Sequence, residues 1–419
     1  MKNRLISLLR WSERYTKTDM VYLVSSGGWL VAEQVFAAFV TLSVGTVFGH
    51  IANKDLYGNY KYVLSLGGLL SAFSLSGIGT AITRAVAQGK EGALKQGVEH
   101  ALRWSLGIPS LALLGAGYYL YTGNLFLSVS LCIVAVFAPL INSFSLFDYF
   151  LIGRREFSTS TLYSMASNVL VALGIIGAVL IEERAIYLVL AYFVINAALD
   201  GFFYVRSVRR AANNDREPGL LRYGAHLSGM TILSTIGSTI DSIVVFTFLG
   251  PAQLAVYAYA IAIPAQMIGL FKNITPLSSP KFAQRSLTEI QGGMWHRLIL
   301  LAGLAAVCSL FYILAAPWIF HILFPVYGSS VTYSQLYAVS IVLMAMTYPL
   351  ISALQAHQKI KELHIASNST PLTIIVILPI LAYFWGIQGV IISQVLARAV
   401  GLGVALWQFW AVTDSSAHS

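Results

Sequence analysis

Charge is what this chain has least of: Asp, Glu, Lys and Arg together make up 10% of 419 residues, against 57% hydrophobic residues and a mean hydropathy of +0.73. A soluble fold cannot cover that much apolar surface, so the class is membrane protein. Cysteine is nearly absent. Cys132 and Cys308 lie in apolar stretches on opposite halves of the chain, which excludes a disulfide framework and leaves both as core fillers. The histidines have no ligand spacing, so no metal site is expected. No Gly-x-x-x-x-Gly-Lys-Ser/Thr loop occurs, which removes direct ATP drive. No gap between apolar runs could house a catalytic platform, and no paired carboxylates or Ser/His pattern lie outside the runs, so an enzyme is not expected. Met1 to Asp19 is basic and mixed rather than a cleavable leader, and the first apolar span is expected to act as the signal.

What the chain has instead is about twelve apolar runs, each close to the roughly 20 residues that cross ~30 Å of hydrocarbon as a helix. In the first half they fall near Gly27–Phe48, Tyr60–Ala81, Leu102–Tyr121, Leu125–Leu151, Thr159–Ile181 and Ala185–Arg206. In the second half they fall near His226–Leu249, Ala252–Phe271, Leu298–Ile319, Gln335–Ala356, Ile365–Phe384 and Ile387–Ala411. Of the 26 Lys and Arg residues, nearly all occupy every second gap. The alternate gaps hold only Lys54 and Arg184; Arg103 and Arg206, at run ends, count with the basic gaps they border, which leaves Lys61 and Arg398 as the exceptions. Retention of positive loops on the side of insertion therefore puts both termini in the cytoplasm. The net charge of +9 belongs to these juxtamembrane loops, where topology and anionic lipid head groups account for it, so nucleic acid is not an expected partner.

The rhythm repeats. Gly49 through Tyr60 joins the first two runs, and Gly250 through Tyr257 joins the seventh and eighth; each is a Gly at a helix exit, a short turn, then a Tyr entering the next span. Two halves with an even number of spans and the same orientation imply a pseudo-twofold axis along the membrane normal. The expected architecture is all-α and polytopic: twelve helices in two six-helix lobes forming a V around a central cleft. Its parts are an interfacial N-terminal segment (1–20), an N-lobe (21–206), a cytoplasmic linker (207–222), a C-lobe (223–411) and a cytoplasmic tail (412–419). Leu5, Leu8 and Leu9 on one face of the first segment suit an in-plane helix, and a frayed tail is the other reading.

The same residues carry a family resemblance. Tyr57-Gly58-Asn59-Tyr60, Gly77-Ile78-Gly79 with Arg84, Asp241 ahead of Gly250 and Tyr257, Pro317 through Tyr327, and Gly386-Ile387-Gln388-Gly389-Val390 occur in an order that resembles polysaccharide-export (Wzx-type) lipid-linked oligosaccharide flippases. That branch sits beside multidrug extruders and lipid II flippases in one exporter superfamily. The chain departs from the pattern in loops, at Pro325 and Gln358, where Gly is usual. The resemblance implies movement of an undecaprenyl-pyrophosphate-linked oligosaccharide, as in O-antigen and lipopolysaccharide assembly, from the inner to the outer leaflet of the bacterial cytoplasmic membrane by alternating access.

Such cargo needs a wet path with cations for phosphate and hydrogen-bonding groups for sugar. Arg398, near the middle of the last run, is the leading phosphate residue, with a structural ion pair as the other reading. Asp241 is its expected partner, as a gate or a strut. Glu33, inside the first run beside Gln34, is a candidate for coupling to H⁺ or Na⁺, against a helix-pairing role. Lys61, Arg84 and Lys272 could lead phosphate in or out, although snorkelling at the interface explains them as well. Asn142, Asn168 and Asn196 could touch sugar hydroxyls or bond between helices. Asp148 and Asp200 suit inner-surface ion pairs with Arg154, Arg155 and Arg206. No cofactor is expected beyond a coupling ion. The expected partners are the polyprenyl-pyrophosphate-linked glycan, membrane lipids, and the glycan polymerase and glycosyltransferases of the same pathway, with the chain itself a monomer. A drug antiporter of the same superfamily and a membrane glycosyltransferase or polymerase are the competing readings.

Overall fold

The structure, a computed structural model, describes residues 20–51, 53–274, 282 and 285–412. The expected interfacial segment and tail lie almost wholly outside them. All regular structure among the described residues is helical, as hydrocarbon requires of a chain that must satisfy its backbone bonds internally. In order these are α1 (Met20–Ile51), α2 (Lys54–Ser71), α3 (Ile78–Ala87), α4 (Ala93–Trp104), α5 (Gly107–Tyr121), α6 (Leu125–Phe144), α7 (Phe147–Gly153) and α8 (Phe157–Ile181). There follow α9 (Ala185–Arg210), α10 (Leu220–Leu249), α11 (Pro251–Ile274), α12 (Leu287–Leu323), a 3₁₀ turn (Pro325–Ser330), α13 (Val331–Tyr337), α14 (Val339–Ala356) and α15 (Ile360–Ala411).

Among the described residues, nine helices are long and apolar enough to cross a membrane. The difference from twelve runs has local causes. The second expected run is split into α2 and α3 by a break over 72–77, and the third is shortened to α5, of 15 residues, by a break at Ser105 and Leu106. The last two runs appear as one 52-residue α15. A straight helix of that length would span ~78 Å, more than twice the hydrocarbon. Gly386 breaks it with φ 56° and ψ −138°, a conformation that only glycine adopts without strain. A Cβ on Gly389 would strike the carbonyl of Leu381, and one on Gly401 would strike the Thr370 hydroxyl. Those pairs share a midpoint near Gly386, so α15 is a hairpin whose two arms pack antiparallel.

The described chain forms two compact units, Val40–Ala258 and the residues up to Phe39 together with those from Tyr259 onward. In the first, α6 packs against α5 and α9, α8 against α9, and α3 against α7, around Ile78, Ile82, Leu94, Phe150, Phe203 and Leu220. Helix α10 lies on α2, α3 and α4. The repeated turns meet there: a Cβ on Gly58 would collide with the carbonyl of Pro251, and Tyr62 stacks on Phe246 at 3.7 Å between ring centres. In the second unit α12 packs on α14, and α14 on α15, over Leu298, Leu350, Leu354 and Phe409.

The linker between α9 and α10 is stitched to the α3–α4 turn. Gln96 donates to the Glu217 carbonyl at 3.2 Å and accepts from the Glu217 N–H at 3.0 Å. Glu91 accepts from the Ala212 N–H at 2.5 Å, and Asn213 donates to the Gly89 carbonyl at 2.8 Å. Lys90 pairs with Glu217, and Arg154 bridges Glu91, Glu156 and the Arg210 carbonyl.

Candidate functional site

Arg398 lies on the second arm of α15, well inside an apolar span. Its Nη1 donates to the Gln394 carbonyl at 2.8 Å and to Gln394 Oε1 at 2.7 Å, one turn back on the same helix. Its Nη2 donates to the Tyr337 hydroxyl at 2.7 Å, and its guanidinium carbon stands 4.8 Å from the centre of that ring. Tyr337, at the end of α13, is 3% exposed and Gln394 is 2% exposed, so the groups that hold the guanidinium are themselves fixed by packing. Both partners are neutral. They orient the cation and solvate part of it without cancelling its charge. The sequence singles out Arg398 but not Tyr337, a tyrosine near the start of the tenth run that nothing in the sequence sets apart.

Asp241 is 8% exposed in α10. The Tyr257 hydroxyl donates to its Oδ2 at 2.6 Å, and the Ser242 N–H donates to Oδ1 at 2.6 Å. Tyr257, 1% exposed on α11, is the Tyr of the second repeated turn, so the repeat supplies the clamp on this carboxylate. Asp241 and Arg398 belong to different units. Glu33 is half-buried on α1, and its neighbour Gln34 donates to Gln266 of α11 at 2.9 Å with Gly269 packed beneath it.

Lys61 is half-buried on α2, 5.6 Å from the centre of the Tyr57 ring. Beside it Tyr60 approaches Phe48 and Tyr192 at 6.3 and 6.4 Å. Arg84 is exposed and lines a pocket of about 170 Å³ together with Gln88 and Glu217, its guanidinium carbon 5.4 Å from the centre of the Tyr223 ring. Lys272 is exposed near the end of α11. Asn142 donates to the Ser71 hydroxyl at 2.9 Å, joining α6 to α2, and Asn196 donates to the Tyr192 carbonyl at 2.8 Å on its own helix. Asn168 is half-buried on α8.

One expectation is corrected. Asp148 and Asp200 form no ion pair with Arg154, Arg155 or Arg206 among the described residues. Asp148 accepts from the Ser160 hydroxyl instead, while Arg154 and Arg210 turn to Glu156. Arg154 is taken up by Glu91, Glu156 and the Arg210 carbonyl, and the guanidinium of Arg206 lies over the Tyr163 ring at 5.9 Å, so these two arginines are engaged elsewhere. Residues closest to the arginines in sequence were therefore not their neighbours in space.

This arrangement of helices is found in solved transporters. The chain superimposes on a structure described as the lipid II flippase MurJ in an inward closed conformation with a TM-score of 0.72 and 14% identity, over 91% of this chain and 89% of that one. A multidrug resistance MATE family transporter of the MOP superfamily, inward-facing, gives 0.71 and 17%, over 91% and 96%. A MOP superfamily transporter from Pyrococcus furiosus gives 0.65 and 14%, over 93% and 95%. At such identities the likeness establishes the fold, which is that of multi-pass membrane transporters. Among curated proteins none matches the chain in sequence. The profile of one family does match, over residues 23–271, more than half of the chain. The chain belongs to the polysaccharide biosynthesis protein family.

Proposed function

We propose that this protein is a secondary flippase that carries undecaprenyl-pyrophosphate-linked oligosaccharide from the cytoplasmic to the outer leaflet of the bacterial cytoplasmic membrane, by alternating access of an N-lobe (21–206) and a C-lobe (223–411). The observation that carries the reading is Arg398. A guanidinium inside a membrane span costs at least a few kcal/mol, and here it is held by neutral groups that leave its charge to be met by a ligand. A diphosphate is the ligand in this pathway that best repays that cost, through charge-assisted and bidentate hydrogen bonds. Membership of a polysaccharide biosynthesis family supports a glycan cargo. Asp241 and Glu33 are the candidate carboxylates for coupling to H⁺ or Na⁺, and Lys61, Arg84 and Lys272 the candidates for handing phosphate between the two mouths. Reconstituted leaflet transfer of a lipid-linked oligosaccharide tests the reading, with transport of cationic drugs as the outcome that would favour an antiporter. No transfer of the lipid-linked substrate by a folded protein, in the presence of H⁺ and Na⁺ gradients, overturns it.

A further inference from the structure

Three turns of the first unit, all outward on the orientation proposed above, close around a pocket of about 580 Å³. The α1–α2 turn and α2 contribute Asn53, Leu56 and Asn59, the start of α6 contributes Phe126, and the α8–α9 turn contributes Glu183 and Arg184. The volume falls within the roughly 300–1,000 Å³ typical of small-ligand sites. The lining has two parts. Leu56 and Phe126 give an apolar floor, and two amides, a carboxylate and a guanidinium give a rim of planar polar groups. Those polar groups have capacity to spare. The side chains of Asn59 and Glu183 make no hydrogen bond to another described residue. Asn53 commits its Oδ1 to the Asp55 N–H at 3.2 Å and keeps its two amide donors, and Arg184 commits Nε to Glu182 at 2.9 Å and keeps its terminal nitrogens.

The geometry points to a saccharide subsite, which receives the glycan as it emerges on the outer side. Sugars present apolar C–H faces and hydroxyl edges that both donate and accept. An apolar floor with Asn, Glu and Arg side chains around it meets both at once, because the amides and the guanidinium donate and the carboxylate accepts. Charge argues against the alternative of a bare phosphate: Arg184 is already paired with Glu182 and Glu183 adds a further negative charge, whereas the partners of Arg398 are neutral. The cargo is thereby divided by chemistry, with diphosphate at the buried cation and neutral sugar at the outer rim. The inference rests on the flippase reading for the identity of the cargo and for which face is outside.

The test uses the full-length protein in nanodiscs, with a panel of unlipidated, N-acetylated di- to tetrasaccharides as probes. Saturation transferred from the protein to sugar ring protons is expected, and Asn59→Ala with Glu183→Ala is expected to weaken it by about five- to ten-fold through loss of two direct hydrogen bonds, with Glu183→Gln retaining part of it. Both positions lie at a surface rim, and unchanged thermal unfolding of the variants checks that the fold is intact. Ring-proton saturation that is equal in the double variant overturns the subsite. So does the absence of saturation in the unaltered protein, including a result in which only an isoprenyl phosphate is bound. Lipid-linked transfer measured on the same preparation separates the two claims: transfer without sugar saturation overturns the subsite alone, and sugar saturation lost in the double variant supports the subsite even where transfer fails and the flippase reading falls.

Discussion

Arg398 is placed by a tyrosine and a glutamine, and this division of labour makes two substitutions informative. Tyr337→Phe keeps the ring under the guanidinium and removes one charge-assisted hydrogen bond, so leaflet transfer is expected to fall by about ten-fold, since such bonds are worth roughly 1.5–3 kcal/mol and part is recovered by water. Arg398→Lys keeps the charge but loses the fork, and is expected to be nearly as damaging as removal of the side chain. At Asp241 the expectation concerns stability. Tyr257→Phe removes one hydrogen-bond donor from a buried carboxylate and should cost about 1–3 kcal/mol, read as a lowered midpoint in thermal unfolding. The sequence made Arg398 and Asp241 legible because ionisable groups within apolar runs stand out by their cost. It could not show Tyr337 or Tyr257 as their partners, since both contacts join residues on different helices. Asp148 and Asp200 show the opposite failure. Proximity in sequence to arginines suggested pairs, but Arg154 and Arg210 pair with Glu156 and Asp148 bonds to Ser160.

At the scale of helices, two features hold the first unit together where a run of apolar residues gives no hint of them. The first is the closeness of α2 and α10. Gly58 packs on the Pro251 carbonyl, and a side chain there has no room to form, so Gly58→Val is expected to destabilise by about 1–3 kcal/mol or to prevent folding, whereas Gly177→Ala, with nothing within 4 Å of the added carbon, should be tolerated. Thermal unfolding of the two purified variants compares them directly. The second is the stitched linker. Arg209, Arg210 and Arg216 are exposed, yet the backbone around them is tied down by Glu91, Gln96 and Arg154. Trypsin is expected to cut this segment slowly, and Glu91→Ala, which removes the acceptor for the Ala212 N–H and the partner of Arg154, should speed cleavage by about ten-fold through local opening. Cleavage at an unchanged rate would show that the linker's order does not depend on these bonds. Hydropathy placed the spans themselves well because length and apolarity are strong signals. It missed the breaks at 72–77 and at Ser105 and Leu106, where small and polar residues interrupt helices without interrupting the apolar pattern. It separated the arms of α15 correctly through Gly386, which carries the turn.

Across the whole molecule, nine long apolar helices among the described residues make this a multi-pass membrane protein, and the distribution of cations predicts its direction. A cysteine placed at Asn124, between α5 and α6, is expected to react with an impermeant maleimide from outside the cell, and one placed at Asp215, in the linker, only after permeabilisation. The opposite pattern would invert the topology and with it the assignment of inner and outer mouths. The fold and the few buried charges were open to sequence reasoning because the bilayer penalises exceptions so heavily. The contacts that orient those charges depend on helix rotation and packing, which composition does not encode. What the account claims above all is that Arg398 meets the diphosphate of a lipid-linked glycan. The most direct measurement is leaflet transfer of a labelled undecaprenyl-pyrophosphate-linked oligosaccharide in proteoliposomes, comparing the unaltered protein with Arg398→Ala at matched reconstitution and matched thermal stability. The account expects transfer without ATP by the unaltered protein and a loss of at least about ten-fold in the variant, the equivalent of one charge-assisted contact; equal transfer by both would contradict it.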